Sequence, residues 1–351
     1  MKFTLLASFF LLPLLPVMAA EQAKPDAPPP AKPEEKKPAA APPATPPAKP
    51  AAAPATPAPA PAEKKAEKKP DAPKPAAAKP AAPAPTAKAE EKKPAPPPPV
   101  PVFKDKNLET AVRRQVFAKR ENAEPLVAAD VETVSIIQGK GLKITDLSGL
   151  EQCKALAQLE LPDNSIKDVT PLKGLERLQY IDLSNNQIED VTTLGTIQAL
   201  QYLDLRHNKV KDVKALGGIA ALTSMYLSNN EIADASPLFK LPKASSLYLD
   251  GNKVTSIEGI GNLKWLDMLS LKDNQVVDIK PLEPLGELRF LFLDNNKVAD
   301  LTPLQAMLKK DMEGARNFAP YINVYLGGNP LNDASKKIVE DLKAQHLRIY
   351  P

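Results

Sequence analysis

The sequence predicts an α/β solenoid: a curved parallel sheet with one short strand per repeat, backed by tight turns and closed by a helical cap at each end. Three observations predict it. Asn recurs at 164, 186, 208, 230, 252, 274 and 296, always 22 residues apart. Apolar pairs stand five and three residues before each Asn, from Leu159/Leu161 to Leu291/Leu293. Ile or Val follows two residues after each Asn, and Leu or Ile eight residues after. A fixed period of this length marks a stack of similar units, each buried only against its neighbours.

Residues 1–20, MKFTLLASFFLLPLLPVMAA, read as a signal peptide. One Lys precedes an apolar run, and small residues stand at its end. The run is short for a membrane span and contains Pro13 and Pro16. The mature chain is therefore expected to be exported, to the periplasm, cell envelope or medium, with no transmembrane span. Retention of the segment as an anchor is the other reading. Cys153 is the single Cys, so no thiol stands at the cleavage region to carry a lipid.

Residues 21–102 hold 27 of the 40 Pro, 26 Ala and 14 Lys, and no Leu, Ile, Phe, Tyr or Trp. Such a segment cannot bury enough apolar surface to offset its ordering entropy, so it is expected to be a disordered linker. Extended as polyproline II at ~3.1 Å per residue it would reach ~250 Å. It carries a net charge of +5, whereas residues 103–351 carry −2. The folded part thus has no global electrostatic reason to bind nucleic acid.

Residues 103–144 are expected to form the N-terminal cap, with Leu108, Ala111, Val112 and Val116 on one helical face and Asn107 capping it. About eight repeats follow over 145–333. The alternating Leu pairs give strands of period two. Pro171, Pro237, Pro281 and Pro303 are placed to start short 3₁₀ turns on the return path. The Asp four residues after each Asn, replaced by Ser256 after Asn252, is placed to cap those turns. An eighth Asn, Asn329, lies 33 residues after Asn296, one period plus an insertion around Met307–Pro320. Such an interruption is either a functional loop or tolerated drift. Residues 334–351 complete the C-terminal cap, with Asp333 capping a helix that turns Ile338, Val339 and Leu342 inward.

The Asn ladder (Asn164, Asn186, Asn208, Asn230, Asn252, Asn274, Asn296 and Asn329) is expected to be structural. Each amide would bond backbone groups of its own and the next repeat.

The unit L-x-x-L-x-x-L-x-L-x-x-N-x-I-x-D-V-x-P-L is clearest from Leu175 to Leu194, LERLQYIDLSNNQIEDVTTL. It resembles the 22-residue leucine-rich repeat of the internalin-like, SDS22-like class of exported bacterial proteins. The resemblance covers roughly 103–351, including both caps. It implies a leucine-rich-repeat horseshoe with a concave parallel sheet. It also implies protein ligands and adhesion to other cells as functions to test, without naming a ligand.

Neighbours of the inward Leu point out from the concave face. Seven of the 17 aromatics fall there: Tyr180, Tyr202, Tyr226, Tyr248, Phe290, Phe292 and Tyr325. The core does not need them, and exposed aromatics in a row anchor partners. The other reading is cross-strand packing that stabilises the sheet. Glu160, Asp182 and Asp204 share one column on successive strands. They form a solvated acidic face, a seat for basic partner side chains, or oxygen ligands for calcium; no metal site and no cofactor are assigned. A cell-wall glycan stacking on the Tyr row, and an envelope spacer without a specific ligand, are the rival functions.

Cys153 replaces Leu in a buried column. Trp265 stands at a variable, exposed position. His207 and His346 are isolated. No phosphate loop, G-x-S-x-G motif or paired His/Asp arrangement occurs, so the chain is not expected to be an enzyme.

Overall fold

The computed structural model describes residues 100–351. The expected signal segment 1–20 and the expected linker, up to residue 99, lie outside the described residues.

One ten-stranded parallel sheet runs in sequence order. Its strands are β1 (Ile136–Gln138), β2 (Gln158–Glu160), β3 (Tyr180–Asp182), β4 (Tyr202–Asp204), β5 (Ser224–Tyr226), β6 (Ser246–Tyr248), β7 (Met268–Ser270), β8 (Phe290–Phe292), β9 (Asn323–Tyr325) and β10 (Arg348–Tyr350). The 22-residue period sets the register, so equivalent residues pair directly: Ile181 with Leu203, Asp182 with Asp204. The middle residue of each strand is buried and its neighbours face out. The sheet runs into both expected caps, since β1 lies within 103–144 and β10 within 334–351.

The return path uses 3₁₀ turns at Thr170–Leu172, Ser236–Lys240 and Lys280–Leu282, each with its Pro at the first or second position. Oδ1 of Asp168, Asp190, Asp212, Asp234 and Asp278 accepts the N–H two residues on, at 2.7–2.9 Å. Ser256 does the same with its hydroxyl, at 3.2 Å. These bonds fix each turn without needing a helix.

The repeated Asn turns inward and bonds backbone on two levels. Asn230 Nδ2 donates to Leu227 O in its own repeat and to Leu205 O in the preceding repeat, both at 2.9 Å. Its Oδ1 accepts the Val210 N–H, also in the preceding repeat, at 2.9 Å. The bridge therefore runs to the preceding repeat, not the next. The residue before each Asn has positive φ: Asp163, Asn185, His207, Asn229, Gly251, Asp273, Asn295 and Gly328. Asn, Asp, His and Gly are the types that tolerate this backbone, which accounts for His207.

At the N-terminus, α1 (Lys106–Arg113) buries Leu108, Ala111 and Val112, and the short α2 (Ala128–Val131) follows. Val116 is buried beyond the end of α1. Asp105, not Asn107, caps α1. Its Oδ1 accepts the Asn107 and Leu108 N–H groups, and its Oδ2 accepts those of Thr145 and Asp146. One carboxylate thus caps the helix and clamps it to the first repeat. Burial pushes that carboxyl up, but the four backbone N–H groups outweigh it and hold it below its ordinary value.

At the C-terminus the insertion is part helix and part turn, with residues 314–320 irregular. Pro303 opens a full helix, α3 (Thr302–Glu313), in place of a 3₁₀ turn. It packs on α4 (Asp333–Ala344). Asn332 caps α4 by accepting the Ser335 N–H at 2.8 Å, and Asp333 sits in the first turn instead of capping. Despite the longer path, Asn329 keeps the ladder: Nδ2 donates to Leu293 O at 2.8 Å, and Oδ1 accepts the Val298 N–H at 3.0 Å.

Candidate functional site

The outward positions of β3–β10 gather the aromatics into two groups. Tyr180 and Tyr202 stack with centroids 4.2 Å apart, Tyr226 lies 5.2 Å from Tyr202, and Tyr248 stacks on Tyr226 at 4.6 Å. In the second group Phe290 lies 6.3 Å from Phe292, Tyr325 stacks on Phe292 at 4.6 Å, and Tyr350 stacks on Tyr325 at 4.7 Å. The stacked spacings follow the strand spacing, so the backbone sets them. Tyr350 escapes sequence reasoning because it lies beyond the last full repeat. Its signal is the Leu347/Ile349 pair, a last alternation that places Tyr350 opposite Tyr325.

The Tyr row is more enclosed than outward-pointing side chains suggest. Tyr226 is only 4% exposed. Burial is the largest cause raising the phenol pKa values of Tyr180, Tyr202, Tyr226 and Tyr248, the last to about 12. At neutral pH these hydroxyls are therefore uncharged, able to donate as well as accept.

The acidic column divides. Glu160 accepts from the side-chain amides of Gln138 and Gln158. Asp182 accepts from the Ser184 N–H at 3.0 Å and hydroxyl at 2.7 Å. Asp204 is 1% exposed and held by Arg206, whose Nη2 donates to Oδ2 at 2.6 Å and whose Nε donates to both oxygens at 3.0 Å. The Arg206 guanidinium also lies 5.3 Å from the Tyr226 ring centre. Asp204 is thus not an open seat for a partner's cation, because this chain supplies one. Burial raises the Asp204 carboxyl pKa, and the Arg206 bonds offset that only in part.

Lys272 plays the matching role in the second group. Its ammonium lies 4.5 Å from the Phe292 ring centre, 5.8 Å from that of Tyr325, and 3.7 Å from Asp294 Oδ2. With both cations engaged, Glu160, Asp182 and Asp250 leave the face with surplus negative charge.

Cys153 is buried, and burial pushes its thiol up to about 12. Trp265 is 65% exposed. Among the described residues no three His, Cys, Asp or Glu side chains gather as a metal site, and no helix is long and apolar enough to cross a membrane.

The family described as Leucine Rich repeats (2 copies) matches residues 154–196. No curated protein sequence matches the chain. Solved structures do. An internalin C2 from Listeria monocytogenes is 29% identical, with a TM-score of 0.58, over 64% of this chain and 94% of its own. An internalin (inlF) from the same species is 23% identical, with a TM-score of 0.56, over 71% and 75%. A leucine-rich-repeat protein from Leptospira interrogans is 21% identical, with a TM-score of 0.51, over 58% and 57%. The first likeness carries sequence as well as shape; the other two show the fold. With its 22-residue period, its Asn ladder and its concave parallel sheet, this chain is a leucine-rich-repeat solenoid similar to the internalins.

Proposed function

We propose that this chain is an exported binding protein, without catalytic activity, that recognises another protein through its concave face. Leucine-rich-repeat proteins are protein-interaction modules. The observation that carries the proposal is the double aromatic array on that face, where the Leu core does not need it. The array's geometry favours a protein over a glycan. Sugar rings stack on open aromatic faces, and here the rings stack on one another. What they offer is ring edges and neutral hydroxyls, bordered by carboxylates, which suits side chains and backbone of a folded partner. Residues 1–20 support export, and the composition of 21–102 supports a flexible stalk.

The test is affinity capture with the full chain from envelope and host-surface extracts, repeated with Tyr202→Ala and Phe292→Ala. Each substitution should weaken capture by about 2 kcal/mol or more if the ring is a buried anchor. Unchanged capture with a lowered melting temperature would mean that the rings only brace the sheet.

A further inference from the structure

Residues 113–120, RRQVFAKR, hold four cations, one aromatic and no carboxylate. They run from the last residue of α1 through the 3₁₀ turn Phe117–Lys119 on the N-terminal cap. The core takes Val116 and leaves Phe117 86% exposed, more than any other large hydrophobic side chain among the described residues. A lone apolar residue on a surface is common; this one has a built support beneath it and charge beside it. Arg113 Nη1 donates to Lys119 O at 3.0 Å and to Asn122 O at 3.1 Å, and its Nη2 donates to Glu124 O at 2.8 Å. Lys119 Nζ donates to Pro125 O at 2.9 Å, and Arg120 Nε to Arg114 O at 3.0 Å. The segment is thus tied down, and a contact made through Phe117 costs little ordering entropy.

The four cations divide by role. Arg113 pairs with Glu109 and Lys119 with Asp130, so those two are internal struts. Arg114 and Arg120 are exposed, and neither has a carboxylate partner among the described residues. The Arg120 guanidinium lies 5.7 Å from the Phe117 ring centre. The outward knob is therefore one ring flanked by two uncompensated guanidiniums, and its complement is an apolar layer behind a layer of anions. One ring covers ~150–250 Å², far short of the ~800 Å² per partner that a stable protein pair buries. A lipid bilayer is continuous and yields around a protruding side chain, so it needs no preformed pocket. We propose that Arg114, Phe117 and Arg120 form a contact for an anionic lipid bilayer. The ring enters the boundary between headgroups and acyl chains, and the guanidiniums bind lipid phosphates. One ring and two cations give marginal, reversible attachment, so the knob orients a chain already near a membrane and does not anchor it. None of these residues belongs to the sheet, so the contact is separate from the concave face.

The probe is a vesicle of equal parts phosphatidylglycerol and phosphatidylcholine, added to the full chain at low ionic strength. The reporter is Phe117→Trp in a Trp265→Phe background, so that indole emission comes from the knob alone. That emission should shift to the blue and be quenched by brominated acyl chains, and pure phosphatidylcholine should produce neither change. Arg114→Gln and Arg120→Gln should each raise the lipid concentration at half-maximal shift about fivefold. Attachment through another segment, the Lys-rich 21–102 included, would not depend on these two arginines. In the unaltered chain Trp265, 65% exposed but off the knob, should not respond. Hydrogen exchange of residues 114–120 in the unaltered chain should slow with the anionic vesicles, which covers the case of an indole that disturbs the turn. An unshifted emission with unchanged exchange, an equal shift with pure phosphatidylcholine, a shift that both Arg variants leave intact, or a matching response of Trp265 overturns the proposal. So does capture from extracts that Phe117→Ala abolishes without any lipid response, which would make the knob a protein contact. Capture lost in Tyr202→Ala and kept in Phe117→Ala is the expected result for two separate surfaces.

Discussion

The Asn ladder makes a prediction that goes beyond the cost of one side chain. Replacing Asn230 with Ala strands the buried Val210 N–H, whose acceptor is Asn230 Oδ1. The carbonyls fare differently. Leu205 O also accepts from Asn208 Nδ2 at 3.0 Å, and Leu227 O also accepts from Asn252 Nδ2 at 3.0 Å. Each keeps one partner. The single substitution should therefore cost about 2 kcal/mol, the price of one orphaned N–H. At this size of folded unit that lowers the melting temperature by roughly 4–8 °C. Replacing Asn208 and Asn230 together removes both donors from Leu205 O, so the pair should lose a further ~1–2 kcal/mol beyond the sum. Asn208 and Asn274 share no carbonyl and should add simply. Urea unfolding of the three single and two double variants gives the two couplings directly. If the Asn208/Asn230 pair is as additive as Asn208/Asn274, the shared-carbonyl account is wrong.

Arg206→Ala leaves the Asp204 carboxyl buried without its cation and should destabilise by about 3 kcal/mol at pH 7. The folded-state pKa of Asp204 is raised, so the folded form takes up a proton more readily than the unfolded one; the deficit should shrink as pH falls toward 4, and Asp204→Asn should rescue it. A pH-independent deficit in denaturant melts would refute this. Asp105→Ala should cost about 1–2 kcal/mol. Its pKa is depressed in the folded chain, so its contribution is present above the unfolded value of 3.8 and lost as pH falls through the lower folded value; wild type and variant should converge in acid. Cys153 should resist iodoacetamide in the folded chain and react after denaturation, since its thiol is buried and its pKa raised; rapid native labelling would contradict the packing.

The repeat was legible because its causes are local and recur. An L-x-L pair and an Asn three residues later impose strand, turn and register wherever they occur. What escaped depends on where two segments meet. Asp105 and Asn107 are both capping types, and the choice between them rests on the Thr145 and Asp146 N–H groups, which only the folded chain brings near. The outward position of Asp204 was readable. Its burial was not, because it needs Arg206 and the Tyr row to close over it. The interruption after Met307 was visible as a broken period, but the helix that forms its first part packs against α4, a partner only the folded chain brings near. Of the face itself, the sequence lists the aromatics, while the stacking of their rings on one another appears only in the folded chain.

The replacement of a tight turn by α3 has a consequence for how such a chain can change. Eleven added residues altered the outer contour, yet Asn329, Val298 and Leu293 still meet at ladder distances. Length on the outer side is thus uncoupled from spacing on the inner side. Segments can be gained, lost or exchanged there as freely as decorations on a ruler's back edge, and the graduations in front keep their pitch. Only the addition or removal of a whole repeat changes the distance between two recognition residues, and then by one strand at a time. Specificity in such a chain moves in whole steps along the sheet, with side-chain identity written independently at each mark.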